Sequence, residues 1–141
     1  MAFNILIVDD SSSMRGVIKK TLEMSGLEVG EIFEAGNGLE ALGVLDEQWA
    51  DVILTDVHMP EMDGFGLLKA LNRQGVVSHT PVVVVTTEGR EERIEELKAL
   101  GAMAWINKPF RPEQIKATVL EVLGLDETAL DQKADIDGCD F

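Results

Sequence analysis

Val82-Val83-Val84-Val85 leaves this chain the fewest choices. Four consecutive β-branched residues favour a strand, and an unbroken apolar run fits one covered on both faces. That is the situation of a strand in a parallel sheet packed between helices. Further apolar segments predict strands at Asn4–Asp9, Glu31–Ala35, Val52–Thr55 and Ala104–Asn107, with Val82–Thr86 fourth in order.

Five stretches of helical period lie between and after them. Met14, Val17, Ile18, Thr21 and Leu22 form one stripe, and Gly26 stands just past its end as a stop. A second helix is expected over about 38–48 with Leu39, Leu42 and Leu45 inward. Phe65, Leu68 and Leu71 mark the third, Ile94, Leu97 and Leu100 the fourth, and Ile115, Val119, Val122 and Leu123 the fifth. Strict alternation of this kind predicts an α/β fold, a doubly wound five-stranded parallel sheet with five helices and right-handed crossovers. In such sheets ligands gather at the carboxyl ends of the strands.

One domain is expected over residues 1–124, followed by an acidic tail, 125–141. The chain carries 26 acidic and 12 basic residues, a net charge of −14, of which −9 belongs to residues 1–124 and −5 to the tail. This charge would repel phosphates, which speaks against nucleic-acid binding and for a divalent cation or a basic partner face. No apolar run approaches the roughly 18 residues that span a bilayer, so no membrane insertion is expected. The lone Cys139 excludes an internal disulfide and suits a reducing compartment, so a cytoplasmic location and a monomer are expected. The tail is read either as a short helix over about 126–133 or as lacking fixed structure. Its Asp131, Asp135 and Asp137 lack the spacing and closing Glu of a calcium loop.

Chemistry-bearing residues fall at four of the strand ends. Asp56 follows Val52–Thr55, ahead of a loop punctuated by Pro60 and Gly64. A carboxylate there can be a nucleophile, a metal ligand, or only an acceptor for loop amides. Asp9-Asp10 ends the first strand, where one acid or any of Ser11, Ser12 and Ser13 would suffice as a cap. If the first and third strands are neighbours, the three carboxylates converge. Two such charges about 5 Å apart repel by roughly 3 kcal/mol at an effective dielectric of 20, so the cluster needs a cation. All-oxygen ligands in a partly open site favour Mg²⁺. Thr86 and Lys108 end the fourth and fifth strands. Alone, each reads as a strand-terminal threonine and a solvated lysine. Together the set offers a metal site, a carboxylate nucleophile, a hydroxyl donor and a fixed cation, which are the parts phosphoryl transfer requires.

With Asp9-Asp10, Asp56, Thr86 and Lys108 in that order, the chain resembles the receiver domain of two-component response regulators, above all the single-domain chemotaxis-type members. The resemblance covers about residues 4–124, with 30 residues from Asp56 to Thr86 and 22 from Thr86 to Lys108. It implies strand order 2-1-3-4-5, as in the flavodoxin-like arrangement, for which the chemotaxis regulator is a standing example. It further implies that Asp56 accepts a phosphoryl group from a sensor histidine kinase. Mg²⁺ would be bound by Asp10, Asp56 and the His58 carbonyl, with Asp9 acting mainly through water. Thr86 would move toward the phosphoryl group, Lys108 would pair with it, and Lys108-Pro109 would be a cis peptide. Trp105 would be the aromatic switch that follows Thr86. Tyr or Phe is usual at this position, and the bulkier Trp leaves open a fixed residue packed at the sheet edge. The His58 side chain is expected to lie over the site as a lid. His79 reads as a plain loop residue.

The implied output is docking to a downstream protein, with a flagellar motor switch as first expectation and a phosphorelay intermediate as the alternative. A self-directed switch of this kind is not an enzyme in the ordinary sense. Two rivals are weaker. Small phosphohydrolases with an Asp nucleophile typically show Asp-x-Asp, where this chain has Asp56-Val57-His58. A flavin carrier would need a first loop that welcomes phosphate, and Asp9-Asp10 would repel it.

Overall fold

A computed structural model of the chain describes residues 2–124; the tail, with the helix expected over about 126–133 and Cys139, lies outside the described residues. Strands and helices alternate as β1 (Phe3–Val8), α1 (Ser12–Met24), β2 (Val29–Ala35), α2 (Gly38–Glu47), β3 (Val52–Thr55), α3 (Gly64–Arg73), β4 (Val82–Thr86), α4 (Glu91–Ala99), β5 (Ala104–Asn107) and α5 (Pro112–Val122). A single 3-10 turn at Val76–Ser78, not foreseen from the sequence, joins α3 to β4. The five strands form one parallel sheet in the order β2-β1-β3-β4-β5.

All five residues of β4 and all four of β3 are buried, as the valine run requires of central strands. Alternate residues feed two cores. Leu6, Val8, Ile53, Val82 and Val84 face α2, α3 and α4 through Ala41, Leu67, Leu68, Leu71, Ile94 and Leu97. Ile5, Ile7, Val52, Leu54, Val83 and Val85 face α1 and α5 through Ile18, Leu22, Ile115, Val119 and Leu120.

The helix ends are set by short polar side chains. Ser11 Oγ accepts from Met14 N, Asn37 Oδ1 from Glu40 N and Asp63 Oδ1 from Gly66 N. Gly26, with φ +92°, ends the α1 turn in the left-handed region open to glycine, as its position predicts.

Four local expectations need correction. β1 stops at Val8, so Asp9 lies just beyond the strand, and β2 begins at Val29, two residues early, because pairing with β1 carries Gly30 despite its poor strand propensity. Val17 and Leu39 were expected inward but are 50% and 52% exposed. Each points away from the side of its helix that is buried, which Ile18 and Leu22 fill on α1 and Ala41 on α2.

Candidate phosphoryl-acceptor site

Backbone pairing delivers the site. Asp9 N donates to Ala35 O at 3.0 Å, Asp56 N to Val8 O at 2.8 Å and Lys108 N to Thr86 O at 2.9 Å. Each of these residues is therefore the first step past a paired strand, and side chains far apart in sequence meet at one edge. Carboxylate oxygens of Asp9, Asp10 and Asp56 all lie within 4.8 Å of one another. Lys108 Nζ donates to Asp9 Oδ2 at 2.9 Å and to Asp56 Oδ2 at 3.2 Å.

Asp9 is 2% exposed, and its other oxygen, Oδ1, accepts from Ser11 N at 2.9 Å. Asp56 Oδ1 accepts from Val57 N at 2.6 Å. The amide-binding role that a strand-end Asp commonly plays is thus present alongside the cluster. Asp10 is exposed and leaves the cluster open to solvent on one side. Burial pulls the Lys108 ammonium down, but the hydrogen bond to Asp9 and the charges of Asp56 and Asp9 outweigh it and hold the pKa above its usual value. One lysine among three carboxylates leaves the cluster two charges negative. Three oxygen donors open to water on one side are the donor chemistry a hydrated Mg²⁺ takes.

The loop after Asp56 packs against the Asp56 and Val57 backbone. A side chain at Gly64 would place its Cβ 2.6 Å from the Asp56 carbonyl oxygen, and Gly64 N donates to Val57 O at 2.7 Å. Only glycine allows α3 to begin this close. Met62 is wedged between α2 and α3, where a Cβ on Gly38 or Gly66 would fall 2.6 or 2.9 Å from its Cγ.

Thr86 is fully buried, and its Oγ1 accepts from Glu88 N at 3.1 Å. Trp105 pairs in register with Val84, so it lies on the sheet face of Val84 and Thr86, the face covered by α4, and it is 40% exposed. Lys108-Pro109 is cis, as the resemblance implied. The His58 side chain is exposed, and its Nε2 sits 3.2 Å from Glu88 Oε1. His79, expected as a plain loop residue, stacks on Trp49 with centroids 5.6 Å apart.

Glu88 went unrecognised in the sequence. It is 6% exposed, and Arg90 holds it through Nε to Oε2 at 2.9 Å, Nη2 to Oε1 at 3.0 Å and the backbone N to Oε2 at 3.0 Å. Hydrogen bonds from the Arg90 side chain and backbone outweigh burial and hold the Glu88 carboxyl at about 2. Glu88-Gly89-Arg90 was its only sequence signal, and a Glu two residues before an Arg is commonplace on a solvated loop.

A five-stranded parallel sheet of this order, with an acid cluster and a lysine at its carboxyl edge, defines a class of receiver-like α/β domains, and comparison with known proteins gives the family. A family model for the response regulator receiver domain matches residues 5–120. The chemotaxis protein CheY1 of Helicobacter pylori is 42% identical over 126 residues, spanning 87% of this chain and 98% of that protein. A CheY homolog of Campylobacter jejuni is 41% identical, over 85% of this chain and 92% of that one. Among solved structures, chemotaxis protein CheY4 of Vibrio cholerae superposes with a TM-score of 0.78 at 39% identity, covering 86% of this chain and 99% of that one. The chain belongs to the response regulator receiver family, the class that serves two-component signalling. Among the described residues no helix is long and apolar enough to cross a membrane.

Proposed function

We propose that this chain is a phosphorylation-dependent switch in which Asp56 accepts a phosphoryl group from a sensor histidine kinase. The observation that carries this reading is the Lys108 ammonium shared between Asp9 Oδ2 and Asp56 Oδ2, at 2.9 and 3.2 Å. Transfer forms a bond from an Asp56 carboxylate oxygen to phosphorus and breaks the phosphorus–nitrogen bond of a phosphohistidine, whose imidazole leaves and takes up a proton. Positioning and charge neutralisation do most of the work in such a step.

Lys108 neutralises one charge on the acceptor side and is placed to pair with a phosphoryl oxygen. Thr86, at the neighbouring strand end, offers its hydroxyl once it turns from Glu88 N. Asp10, Asp56 and the His58 carbonyl would hold Mg²⁺, with Asp9 acting through water. The ion supplies neutralisation of the charge on the transferring group. Thr86 and Trp105, on the face of α4, carry the change toward a downstream protein. Chemotaxis is the pathway that the named relatives favour, with the flagellar motor switch as the target. A monomeric, cytoplasmic protein with residues 1–124 as the signalling unit completes the reading.

Incubation with Mg²⁺ and acetyl phosphate tests it. The protein gains one acid-stable, base-labile phosphate, and Asp56→Asn gains none. Full labelling of Asp56→Asn sinks the assignment.

A further inference from the structure

α4 is weakly anchored, burying as few residues as α1 or α2 and lacking the side-chain N-cap bond that each of those has. It buries only Ile94 and Leu97, where α3 buries six residues, and its N-cap, Arg90, makes no side-chain capping bond. Glu91 with Glu95 and Glu92 with Glu96 are like-charged pairs at i,i+4, each mildly destabilising, and Arg93–Glu96 at 3.3 Å and Lys98–Glu95 at 3.8 Å offset them in part. What holds such a helix in place is therefore informative.

One attachment stands out. The Arg93 guanidinium carbon lies 4.0 Å from the centroid of the Phe65 ring. Phe65 is 6% exposed and directly follows Gly64, the residue closed against the Asp56 carbonyl. The ring is thus fixed with respect to the acceptor, and Arg93 fastens α4 to it. The hydrogen bond from Arg93 Nη1 goes to Glu96 Oε1, which belongs to α4 itself. Arg93 Nε is buried with no hydrogen-bond partner. A donor left in that condition is satisfied by water or an acceptor as soon as the guanidinium moves.

We propose that Phe65 and Arg93 are positioning residues of the switch, a latch that holds α4 in the arrangement seen here and that activation must open. The inference rests on the receiver reading of Asp56, and it adds a connection from the acceptor to α4 separate from that of Thr86 and Trp105. The ring stays with the acceptor loop, the cation travels with the helix, and the contact is present only while α4 holds this position. Weakening it shifts the population toward the activated arrangement, so a phosphoryl mimic binds more tightly.

The test is titration of the full chain with beryllofluoride in saturating Mg²⁺, followed by fluorine NMR. Arg93→Met keeps the reach of the side chain without its charge, and Phe65→Leu keeps an apolar filling without the ring. Each is expected to tighten beryllofluoride binding about fivefold, equivalent to about 1 kcal/mol. The double variant gains no more than either single one, and Arg93→Lys and Phe65→Tyr stay near the parent. A merely structural contact lowers the melting temperature of the variants and leaves their affinities at the parent value, which overturns the latch. Additive gains overturn it too. A parent that fails to bind beryllofluoride overturns the receiver reading and the latch together, whereas parental binding with unchanged variants overturns the latch alone.

Discussion

Lys108 Nζ donates to Asp56 Oδ2 across 3.2 Å, joining residues 52 positions apart in the chain. The cation therefore already sits on the carboxylate proposed as the phosphoryl acceptor. Replacing it with Gln keeps a hydrogen-bond donor and removes the charge. Lys108→Gln is expected to slow acetyl phosphate labelling of Asp56 by at least tenfold, the scale of one lost charge-assisted contact of about 1.5 kcal/mol or more. Labelling at the parental rate, measured by intact mass against time, removes Lys108 from the reaction.

Asp10 is the exposed member of the acid cluster, and only one lysine offsets three carboxylates. Asp10→Asn is expected to raise the melting temperature in chelator, by relief of repulsion on the order of 1 kcal/mol. The same variant loses the Mg²⁺-dependent rise, which in the parent amounts to about 2.7 kcal/mol at 100 times the dissociation constant. A variant that melts below the parent in chelator counts against stored repulsion at this edge.

Glu88 carries the clearest pH dependence. Its carboxyl is held at about 2 in the folded chain, below the ordinary value of 4.5, by the hydrogen bonds of Arg90. A depressed folded pKa means that the contribution to stability is fully present above 4.5 and is lost as pH falls toward 2. Glu88→Gln is thus expected to be less stable than the parent at pH 7, with the gap narrowing between pH 5 and pH 3. Urea unfolding across that range checks it, and a gap independent of pH refutes it.

Trp105 and Trp49 separate the switch from its surroundings. Trp105 shares a sheet face with Thr86, whereas Trp49 stacks on His79 and bonds Asp51 Oδ1 through its indole nitrogen at 3.1 Å. Beryllofluoride with Mg²⁺ is expected to change the fluorescence, with Trp105→Phe removing most of the change and Trp49→Phe little. Hydrogen exchange should change mainly in residues 87–108. The same exchange with and without bound beryllofluoride makes Trp105 a packing residue and moves the output face elsewhere.

The architecture was legible in the sequence because its signals are periodic. The valine run specified a strand with two covered faces, and β3, β4 and β5 begin and end where the pattern predicts. The rim was harder to read. Val17 and Leu39 fit the helical period as their buried neighbours do, and the period alone does not say where the covered stripe ends. At the site, Asp9, Asp10, Asp56 and Lys108 were found by their positions at strand ends, and the structure brings them together. Glu88 and Phe65–Arg93 were not found. Their roles arise from pairings across loops and between helices, and neither a period nor a spacing announces those.

The last rungs of the sheet have a consequence for biosynthesis. Asp9, Asp56 and Lys108 each follow directly on a paired strand, and their amides close the ladder onto Ala35, Val8 and Thr86. Parallel partners are distant in sequence, so these closures are late and costly in chain entropy. A nascent or partly unravelled chain therefore lacks the cluster, since zipping the sheet and assembling the carboxylates are one event.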